Sequence, residues 1–387
     1  MNAPFKPEFV PRPAGIGGAR GLVARGISKT FQAQVLDRVS VDVAPGELLA
    51  LTGPSGAGKT TLCRILAGLE GAEVGSITLG GTDLTLLPAG RRRVAFMFES
   101  YALYPHLTVR ENALSPLLAL GTGGPADGDR GVSEMLELLE IPHLADRLPA
   151  ALSGGQKQRV ALARTLVQTP SLFLLDEPIS HLDAKLRHKL RGEIRRRLSA
   201  QSAPVIWATP DGMEALSVGD RVAVIADGKI EQVGTPEEVW LRPASVQVAR
   251  LLGDPPINLL PGRVQSDGDA LYFHCRKSRL ALPASLARMA ASLDDAEVVL
   301  GARPDAVTLA AADAPAVVPG EIYSCEPFGK HTIVTVDLGG LLLKLKTPAQ
   351  DAIRAGDWIG QMIGLSFSPA GLMLFDATTG RALPEPH

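Results

Sequence analysis

One glycine-rich segment sets the architecture of this chain: Gly53-Pro54-Ser55-Gly56-Ala57-Gly58-Lys59-Thr60-Thr61. It matches the phosphate-loop pattern G-x-x-x-x-G-K-[ST] at every specified position. Residues 48–51 before it form an apolar run that predicts a buried strand. Four residues after it recur at the spacing of one helix face: Leu62, Ile65, Leu66 and Leu69. Because a strand, a turn and a helix in this order direct backbone N–H groups at an anion, we expect Lys59 to reach nucleotide phosphates and Thr60 to contact Mg²⁺.

Composition limits the classes of partner and compartment. The 387 residues carry a formal net charge of −2 and a pI of about 6.4, so bulk charge gives no reason to expect nucleic acid or an acidic membrane surface. The three cysteines (Cys63, Cys275 and Cys325) stand far apart without C-x-x-C spacing. Neither a disulfide framework nor a zinc site is indicated, and a reducing compartment is the simpler expectation. Apolar runs fall short of the roughly 18 residues that span a bilayer, so a membrane role requires a partner.

Two acidic segments follow predicted strands. The apolar run 171–175 ends in Asp176-Glu177-Pro178. An acidic residue at the end of such a strand is the second half of a phosphate-loop ATPase, so we expect Asp176 to hold Mg²⁺ through water and Glu177 to activate the attacking water. The run 94–98 ends at Glu99, which is either another Mg²⁺ contact or a solvated loop carboxylate.

Three further positions have a functional and an ordinary interpretation. Ser153 is a predicted N-cap, and the segment Ser153-Gly154-Gly155-Gln156 offers free amides that suit an anion, although an ordinary capped helix explains them equally. Phe31 is a candidate to stack on adenine, or else a core or edge aromatic. The helix predicted after Asp183 has one apolar and one basic face, which we interpret as a solvated amphipathic surface and not as a nucleic-acid site.

In this order, the motifs resemble those of an ABC transporter ATPase: residues 53–61, 152–156, 175–178 and 180–183. Residues 101–109, 182–187 and 234–239 are similar to importers of the maltose/sn-glycerol-3-phosphate type. The resemblance implies that Ser153 to Gln156 are the signature motif, which clamps ATP held by an opposing subunit. It also implies that Phe31 stacks on the adenine and that Asp183 belongs to the D-loop.

The resemblance also implies a domain plan. We expect an α/β phosphate-loop ATPase domain with an antiparallel β subdomain and a helical insertion, followed by a β-rich oligonucleotide-binding-type accessory domain. The expected bounds are a loose leader at 1–21, the ATPase domain at 22–255 and the accessory domain at 256–387. The helical subdomain is expected at about 99–152, interrupted by a polar, glycine-rich loop over 121–131.

Two positions depart from the family pattern. Relatives usually carry glutamine where this chain has Glu99, and a switch histidine where it has Pro210. Proline supplies neither an imidazole nor a backbone N–H to the transferring phosphoryl group. The chain therefore has an intact signature half and a compromised catalytic half. Either it pairs with a different ATPase that supplies the histidine, which we favour, or it pairs with itself and hydrolyses by a modified mechanism.

The resulting hypothesis is an ATP-binding subunit that powers import of a sugar, polyol or related solute, with ATP and Mg²⁺ as cofactors. Its expected partners are membrane permease subunits, a second ATPase subunit and, indirectly, a periplasmic solute-binding protein, at the cytoplasmic face of the inner membrane. One alternative is an importer of a polyamine or metal-anion. Others are a soluble ABC ATPase, which would predict tandem cassettes or a long coiled coil, and a binding-only regulatory subunit, which would predict loss of Lys59 or Glu177.

Overall fold

The computed structural model describes residues 21–120, 125–268, 270–276, 278–290, 293, 295–311, 314, 317–348 and 359–384. The expected leader, apart from Gly21, and residues 121–124 of the expected loop lie outside these ranges. The chain divides into two compact units, one up to Pro236 and the other from Glu237 onward. The sequence predicts a boundary at 255/256. In the structure, residues 237–255, which include most of two short helices, fall within the second unit.

Strands and helices alternate along the first unit. The strands are β1 (Leu22–Thr30), β2 (Gln34–Val43), β3 (Leu48–Thr52), β4 (Val74–Leu79), β5 (Thr82–Asp83), β6 (Val94–Met97), β7 (Leu172–Asp176), β8 (Val205–Thr209), β9 (Arg221–Ala226) and β10 (Lys229–Gly234). The helices are α1 (Lys59–Ala67), α2 (Val109–Leu120), α3 (Pro125–Leu138), α4 (Gly154–Leu166), α5 (Ala184–Ser199) and α6 (Gly212–Val218). One antiparallel sheet has the order β2-β1-β4-β5, and a largely parallel sheet has the order β10-β9-β3-β8-β7-β6.

The parallel sheet brings the sequence motifs to one edge. Every residue of β3, β7 and β8 is buried, which explains their continuous apolar runs: both faces of the sheet are covered. Thr52 at the end of β3 pairs with Thr209, and Asp176 at the end of β7 pairs with Ala208. The phosphate loop, Asp176 and the segment after Thr209 therefore all begin at the carboxyl ends of adjacent strands, where open α/β sheets bind ligands.

The helix after the phosphate loop is shorter than expected. Leu62, Ile65 and Leu66 are buried as predicted, but Leu69 is 48% exposed. The helix ends at Ala67 because Gly68 adopts a left-handed conformation (φ 77°) and its N–H returns to the Ile65 carbonyl. Including Leu69 in the buried helix face was therefore wrong.

The helical insertion is confirmed, but the expected loop at 121–131 is wrong from residue 125 onward. Helix α3 begins at Pro125, and proline is tolerated in a first turn because the N–H there has no helical partner. Gly128 lies inside the helix, where an added Cβ would come within 3.2 Å of the Leu114 side chain on α2. Val132 and Met135 bury the inward face. Here glycine serves close packing of two helices and does not mark a loop.

The second unit is β-rich. Its elements are α7 (Pro236–Leu241), α8 (Val246–Leu251), β11 (Asn258–Asp267), β12 (Ala270–Cys275), β13 (Ser278–Ala281), α9 (Ala284–Ala290), β14 (Glu297–Ala302), β15 (Val307–Ala310), β16 (Val318–Phe328), β17 (His331–Asp337), β18 (Leu342–Pro348), β19 (Met362–Phe367) and β20 (Leu372–Asp376). They form sheets of order β13-β12-β11-β14-β20 and β15-β19-β16-β17-β18. Gly339 and Gly340 join β17 and β18 as a hairpin, and both glycines have positive φ.

Taken together, the two units confirm the predicted fold class. A core of aliphatic residues, including Leu260, Leu300 and Val334, fills the second unit. Among the residues that the structure describes, none of the helices is both long and apolar enough to cross a membrane.

Candidate active site

The phosphate loop encloses the Lys59 side chain. The ammonium is buried and donates to the carbonyl oxygens of Gly53 at 2.7 Å and Pro54 at 2.9 Å. Gly58 caps α1 with φ 104°, and a Cβ there would lie 2.6 Å from Leu36 Cδ2. Burial lowers the pKa of Lys59, and the carboxylates of Glu177 and Asp176 oppose that shift. The loop thus surrounds the Lys59 ammonium, which a bound phosphate could attract away from the two carbonyls.

Asp176 is a buried carboxylate with an unmet hydrogen-bonding atom. The residue is 1% exposed, and its Oδ2 has no hydrogen-bond partner in the protein. Burial raises the pKa of Asp176 to about 6, the Thr60 hydroxyl opposes that shift through a hydrogen bond, and Glu99 and Glu177 add to it. An orphaned carboxylate oxygen beside a hydroxyl is a donor set that fits Mg²⁺. The described residues contain no cluster of three or more His, Cys, Asp or Glu that could hold a metal ion.

Glu177 follows Asp176 in a strained conformation. Its φ is 49°, which is uncommon for a residue with a side chain. The backbone holds this conformation at both ends: the Glu177 N–H donates to Ala208 O at 2.9 Å, and its carbonyl accepts from Gln158 Nε2 at 2.9 Å. A residue in such a conformation persists only where its surroundings hold it, and residues of this kind cluster at functional sites. The backbone conformation of Glu177 is therefore held by its neighbours.

Glu99 lies on the exposed loop after β6. Its negative charge opposes the fall in the pKa of Lys59 and adds to the rise in the pKa of Asp176. Glu99 therefore lies within electrostatic reach of the site. Its carboxylate adds to the negative charge that surrounds Asp176. The structure therefore brings Glu99 towards the site but leaves its side chain in solvent.

The segment at Ser153 forms the expected cap. Ser153 Oγ accepts from Gln156 N at 3.3 Å, and the Ser153 N–H donates to Gln156 Oε1 at 2.9 Å. This reciprocal pair is a capping box, so the N-cap prediction is confirmed. Gly154 is exposed and a Cβ there would meet nothing within 4 Å, whereas a Cβ on Gly155 would lie 3.1 Å from His181 O. The first residues of α4 thus present backbone at the surface on one side and pack on the segment 180–183 on the other.

Phe31 and Asp183 have different environments. The Phe31 ring is 57% exposed and lies 5.0 Å from Lys29 Nζ, which is itself held by Glu70 and the Gly71 carbonyl. The ring is therefore available at the surface for a flat ligand. Asp183 caps α5, because its Oδ1 accepts from the Leu186 N–H at 2.9 Å.

Pro210 lies between the end of β8 and the start of α6, in a segment held by hydrogen bonds. The neighbouring Thr209 Oγ1 accepts from the Asp211 N–H at 3.2 Å. Asp211 then caps α6 by accepting from the backbone N–H groups of Met213 and Glu214. The conformation of this segment is therefore held by its neighbours and does not depend on a polar side chain at residue 210.

Sequence reasoning missed two polar residues on α4. Gln158 is fully buried and bridges the Glu177 carbonyl to the His181 N–H, and Arg164 donates to the carbonyls of Tyr101 and Ala102 at 2.7 and 2.8 Å. The sequence offered little signal, because the same helix also contains Gln156, Lys157, Arg159 and Thr165. The partners of Gln158 and Arg164 are 19 to 63 residues away in sequence, so no local pattern identifies them.

Comparison with protein families matches three regions. The family model described as "ABC transporter" matches residues 36–180. Models described as "MalK OB fold domain" and "TOBE domain" match residues 253–307 and 300–375. The second and third lie in the β-rich unit, in agreement with the predicted accessory domain.

Two curated relatives are similar over nearly the whole chain. The sn-glycerol-3-phosphate import ATP-binding protein UgpC 1 of Rhizobium johnstonii is 39% identical over 94% of this chain and 96% of its own. The sulfoquinovosyl glycerol transport ATP-binding protein SmoE of Agrobacterium fabrum is 37% identical over 93% of this chain and 98% of its own.

Solved structures are similar to the first unit's fold. The dimeric structure of MJ0796, a bacterial ABC transporter cassette, has a TM-score of 0.52 and 28% identity, covering 56% of this chain and 98% of that one. A dimeric post-hydrolysis state of the same cassette, bound to ADP and Pi, has the same TM-score, identity and coverage.

Proposed function

The chain belongs to the ABC transporter family as an ATP-binding subunit, and we propose that it couples ATP binding and hydrolysis to import of a sugar, polyol or related solute. The relatives at 39% and 37% identity are named for sn-glycerol-3-phosphate import and sulfoquinovosyl glycerol transport, both solutes of that polyhydroxylated class. Their coverage of more than nine-tenths of this chain includes the accessory domain. This supports an importer and not another kind of ABC ATPase.

One observation carries the ATP-binding part of the proposal: the orphaned Asp176 oxygen beside Thr60, at the edge where Lys59 is held inside the phosphate loop. The loop Gly53 to Thr61 binds the phosphates, and Lys59 exchanges its two loop carbonyls for phosphate oxygens. The exposed ring of Phe31 stacks on the adenine.

Thr60, Asp176 and Glu99 would hold Mg²⁺. When bound, the ion neutralises charge on the β- and γ-phosphates. Glu177, held by Ala208 and Gln158, orients and activates the attacking water. With Pro210 at the switch position, turnover at the chain's own site is weak.

The second half of the site serves another subunit. Ser153 to Gln156 contact the nucleotide of an opposing ATPase, with Asp183 in the adjoining D-loop. The exposed Gly154 backbone supports this, because it leaves the amides of the helix terminus open to an anion. A heteromeric pair is favoured since a partner can supply the histidine that Pro210 replaces, and a homodimer is the alternative.

Attachment to the membrane occurs through permease subunits at the cytoplasmic face of the inner membrane. An open groove of about 400 Å³ beside the helical insertion is lined in part by Leu69, Phe96, Phe98 and Gln168. A cytoplasmic helix of a permease, with apolar side chains for this lining, docks there. The exposure of Leu69, which a buried helix face does not explain, fits such a role.

The experiment has a binding arm and a transport arm. Lys59→Ala should abolish binding of a fluorescent ATP analogue to the full chain, while Lys330→Ala, an exposed lysine of the second unit, should leave binding unchanged. A strain that lacks this chain should lose uptake of a sugar or glycerol-phosphate solute and regain it with wild type but not with Lys59→Ala. Unchanged nucleotide affinity in Lys59→Ala, or uptake restored by it, would refute the proposal.

A further inference from the structure

We propose that His181 is a positioning residue whose ring, hydrogen-bonded to the Tyr101 hydroxyl, ties the loop that carries Glu99 to the turn that carries Glu177. This rests on the proposed function, because it concerns how the proposed ATPase aligns its groups. The residues involved lie within the first unit.

The contact is a short side-chain hydrogen bond between two distant segments. Tyr101 Oη lies 2.8 Å from His181 Nδ1, and the two rings meet edge to face with centroids 6.1 Å apart. Ser180 Oγ lies 3.1 Å from the same ring nitrogen. One imidazole nitrogen is thus shared by two hydroxyls, one from each segment.

Helix α4 anchors the tyrosine end. Tyr101 and Ala102 both have positive φ, at 64° and 45°, and such residues persist only where the surroundings hold them. The Arg164 guanidinium supplies that hold by donating to both of their carbonyls at 2.7 and 2.8 Å. The backbone from which the Tyr101 side chain extends is therefore held by α4.

The same helix anchors the histidine end. Gln158 Oε1 accepts from the His181 N–H at 3.0 Å, and Gln158 Nε2 donates to the Glu177 carbonyl at 2.9 Å and to Ser180 Oγ at 3.3 Å. Arg164 and Gln158 thus fix two separate segments on one scaffold. The Tyr101–His181 bond links those segments at their outer ends, where both are accessible to solvent.

The Tyr101–His181 hydrogen bond also affects the hydrogen bonding of the Glu177 carbonyl. The Ser180 hydroxyl has one proton and lies within reach of both the Glu177 carbonyl, at 3.2 Å, and His181 Nδ1. In the tautomer that carries the ring proton on Nε2, His181 Nδ1 accepts from the Tyr101 hydroxyl, and Ser180 is left to donate to the Glu177 carbonyl. Without the Tyr101 hydroxyl, the ring nitrogen competes for the Ser180 proton, and the strained Glu177 peptide loses a partner.

The test compares four variants of the full chain with wild type: Tyr101→Phe, His181→Ala, the double variant, and His181→Asn. Steady-state phosphate release with Mg-ATP gives kcat, and a fluorescent ATP analogue gives affinity. We expect each of the first two to lower kcat by about threefold to tenfold, as for loss of one net hydrogen bond, with affinity within about twofold of wild type. The double variant should be no slower than either single one. His181→Asn should recover most of the rate, because its amide oxygen can accept from Tyr101.

Tyr323→Phe removes an exposed hydroxyl in the second unit and is the matched control. A second measurement does not need turnover. Hydrogen exchange with the ATP analogue bound should accelerate in Tyr101→Phe at the peptides containing Glu99 and Glu177, and remain unchanged in Tyr323→Phe. Additive losses of rate, or exchange at both peptides in Tyr101→Phe identical to wild type, would overturn the role of His181. Failure of wild type to bind the analogue would instead refute the proposed function.

Discussion

Trp207 donates its indole Nε1–H to Oε1 of Glu214 at 2.8 Å, inside the core behind the segment that carries Pro210. Trp207 is fully buried and Glu214 is 3% exposed. The bond joins the middle of β8 to the first turn of α6, so it constrains the segment between them. Burial raises the pKa of Glu214, and the indole hydrogen bond opposes that rise only in part.

Stability should therefore depend on pH through Glu214. The folded pKa is raised, so the folded state holds a proton that the unfolded chain has released, and this stabilisation is lost as pH rises through the folded pKa. Glu214→Gln keeps an oxygen for Trp207 but cannot ionise. Urea unfolding followed by tryptophan fluorescence should give a free energy of unfolding that falls less between about pH 4 and pH 8 in the variant than in wild type. The exposed Glu134→Gln should follow wild type, and equal slopes for all three proteins would contradict the assignment.

Arg92 should be a strong determinant of stability. Its buried guanidinium donates to the carbonyls of Ile65 and Leu66, both at 2.9 Å, and so satisfies the end of α1. A Cβ at Gly68 would lie 2.5 Å from Arg92 Nε, so the packing is tight. Arg92→Met should lower the free energy of unfolding by about 2–4 kcal/mol, because buried carbonyls lose their donor. Denaturant unfolding of Arg92→Met beside Arg91→Met, its exposed neighbour, measures this, and equal effects would refute it.

The Asp176 carboxylate should lower the stability of the folded chain while providing a ligand for Mg²⁺. Its pKa of about 6 means that the ionised form is disfavoured when no cation is bound. Asp176→Asn should therefore be more stable than wild type at pH 7.5 without Mg²⁺, by up to about 3 kcal/mol, and lose that advantage below about pH 4. Mg²⁺ should tighten ATP binding to wild type and not to the variant. Thermal unfolding with and without Mg²⁺ and ATP tests both parts, with the exposed Asp146→Asn as control. A variant that Mg²⁺-ATP stabilises as much as wild type would exclude Asp176 from the cation site.

The sequence predicted the sheet and its motif-bearing edge because both follow from local patterns. Residues 48–51 and 172–175 are short continuous apolar runs, which are typical of strands covered on both faces of a sheet. The glycine spacing of the phosphate loop is a backbone requirement, visible at Gly58 as a positive φ with no space for a Cβ. Patterns of this kind involve residues that are adjacent in the sequence, so the sequence alone reveals them.

Contacts between distant segments could not be predicted in the same way. Gln158 reaches Glu177 and Arg164 reaches Tyr101 only after the strands and helices have packed. The start of α3 was missed because glycine within a helix lowers intrinsic propensity, and the packing that favours Gly128 is tertiary. Leu69 was assigned to a buried face because its spacing is helical, although Gly68 had already ended the helix.

The last prediction concerns Pro210 and Glu99. Loss of one group that stabilises transition-state charge costs about 3–4 kcal/mol, or roughly 10²–10³ in rate. The isolated chain should therefore hydrolyse ATP feebly, and Pro210→His should raise turnover, since the segment around residue 210 is already held by Asp211 and Glu214. Glu99→Gln should raise it further because Glu99 adds negative charge beside Asp176. The two gains should be non-additive, since both groups act on one phosphate.

Steady-state phosphate release from wild type, both single variants and the double variant tests this, alone and in complex with a complementary ATPase. In that complex, turnover should depend on Ser153 of this chain, which contacts the partner's nucleotide, and little on Glu177. Ser153→Ala and Glu177→Gln in the complex separate the two halves of the site. A wild-type homodimer that hydrolyses ATP as fast as ordinary importers, and that Pro210→His slows, would refute the prediction. That result would mean that the site holds its own substitute for the switch histidine.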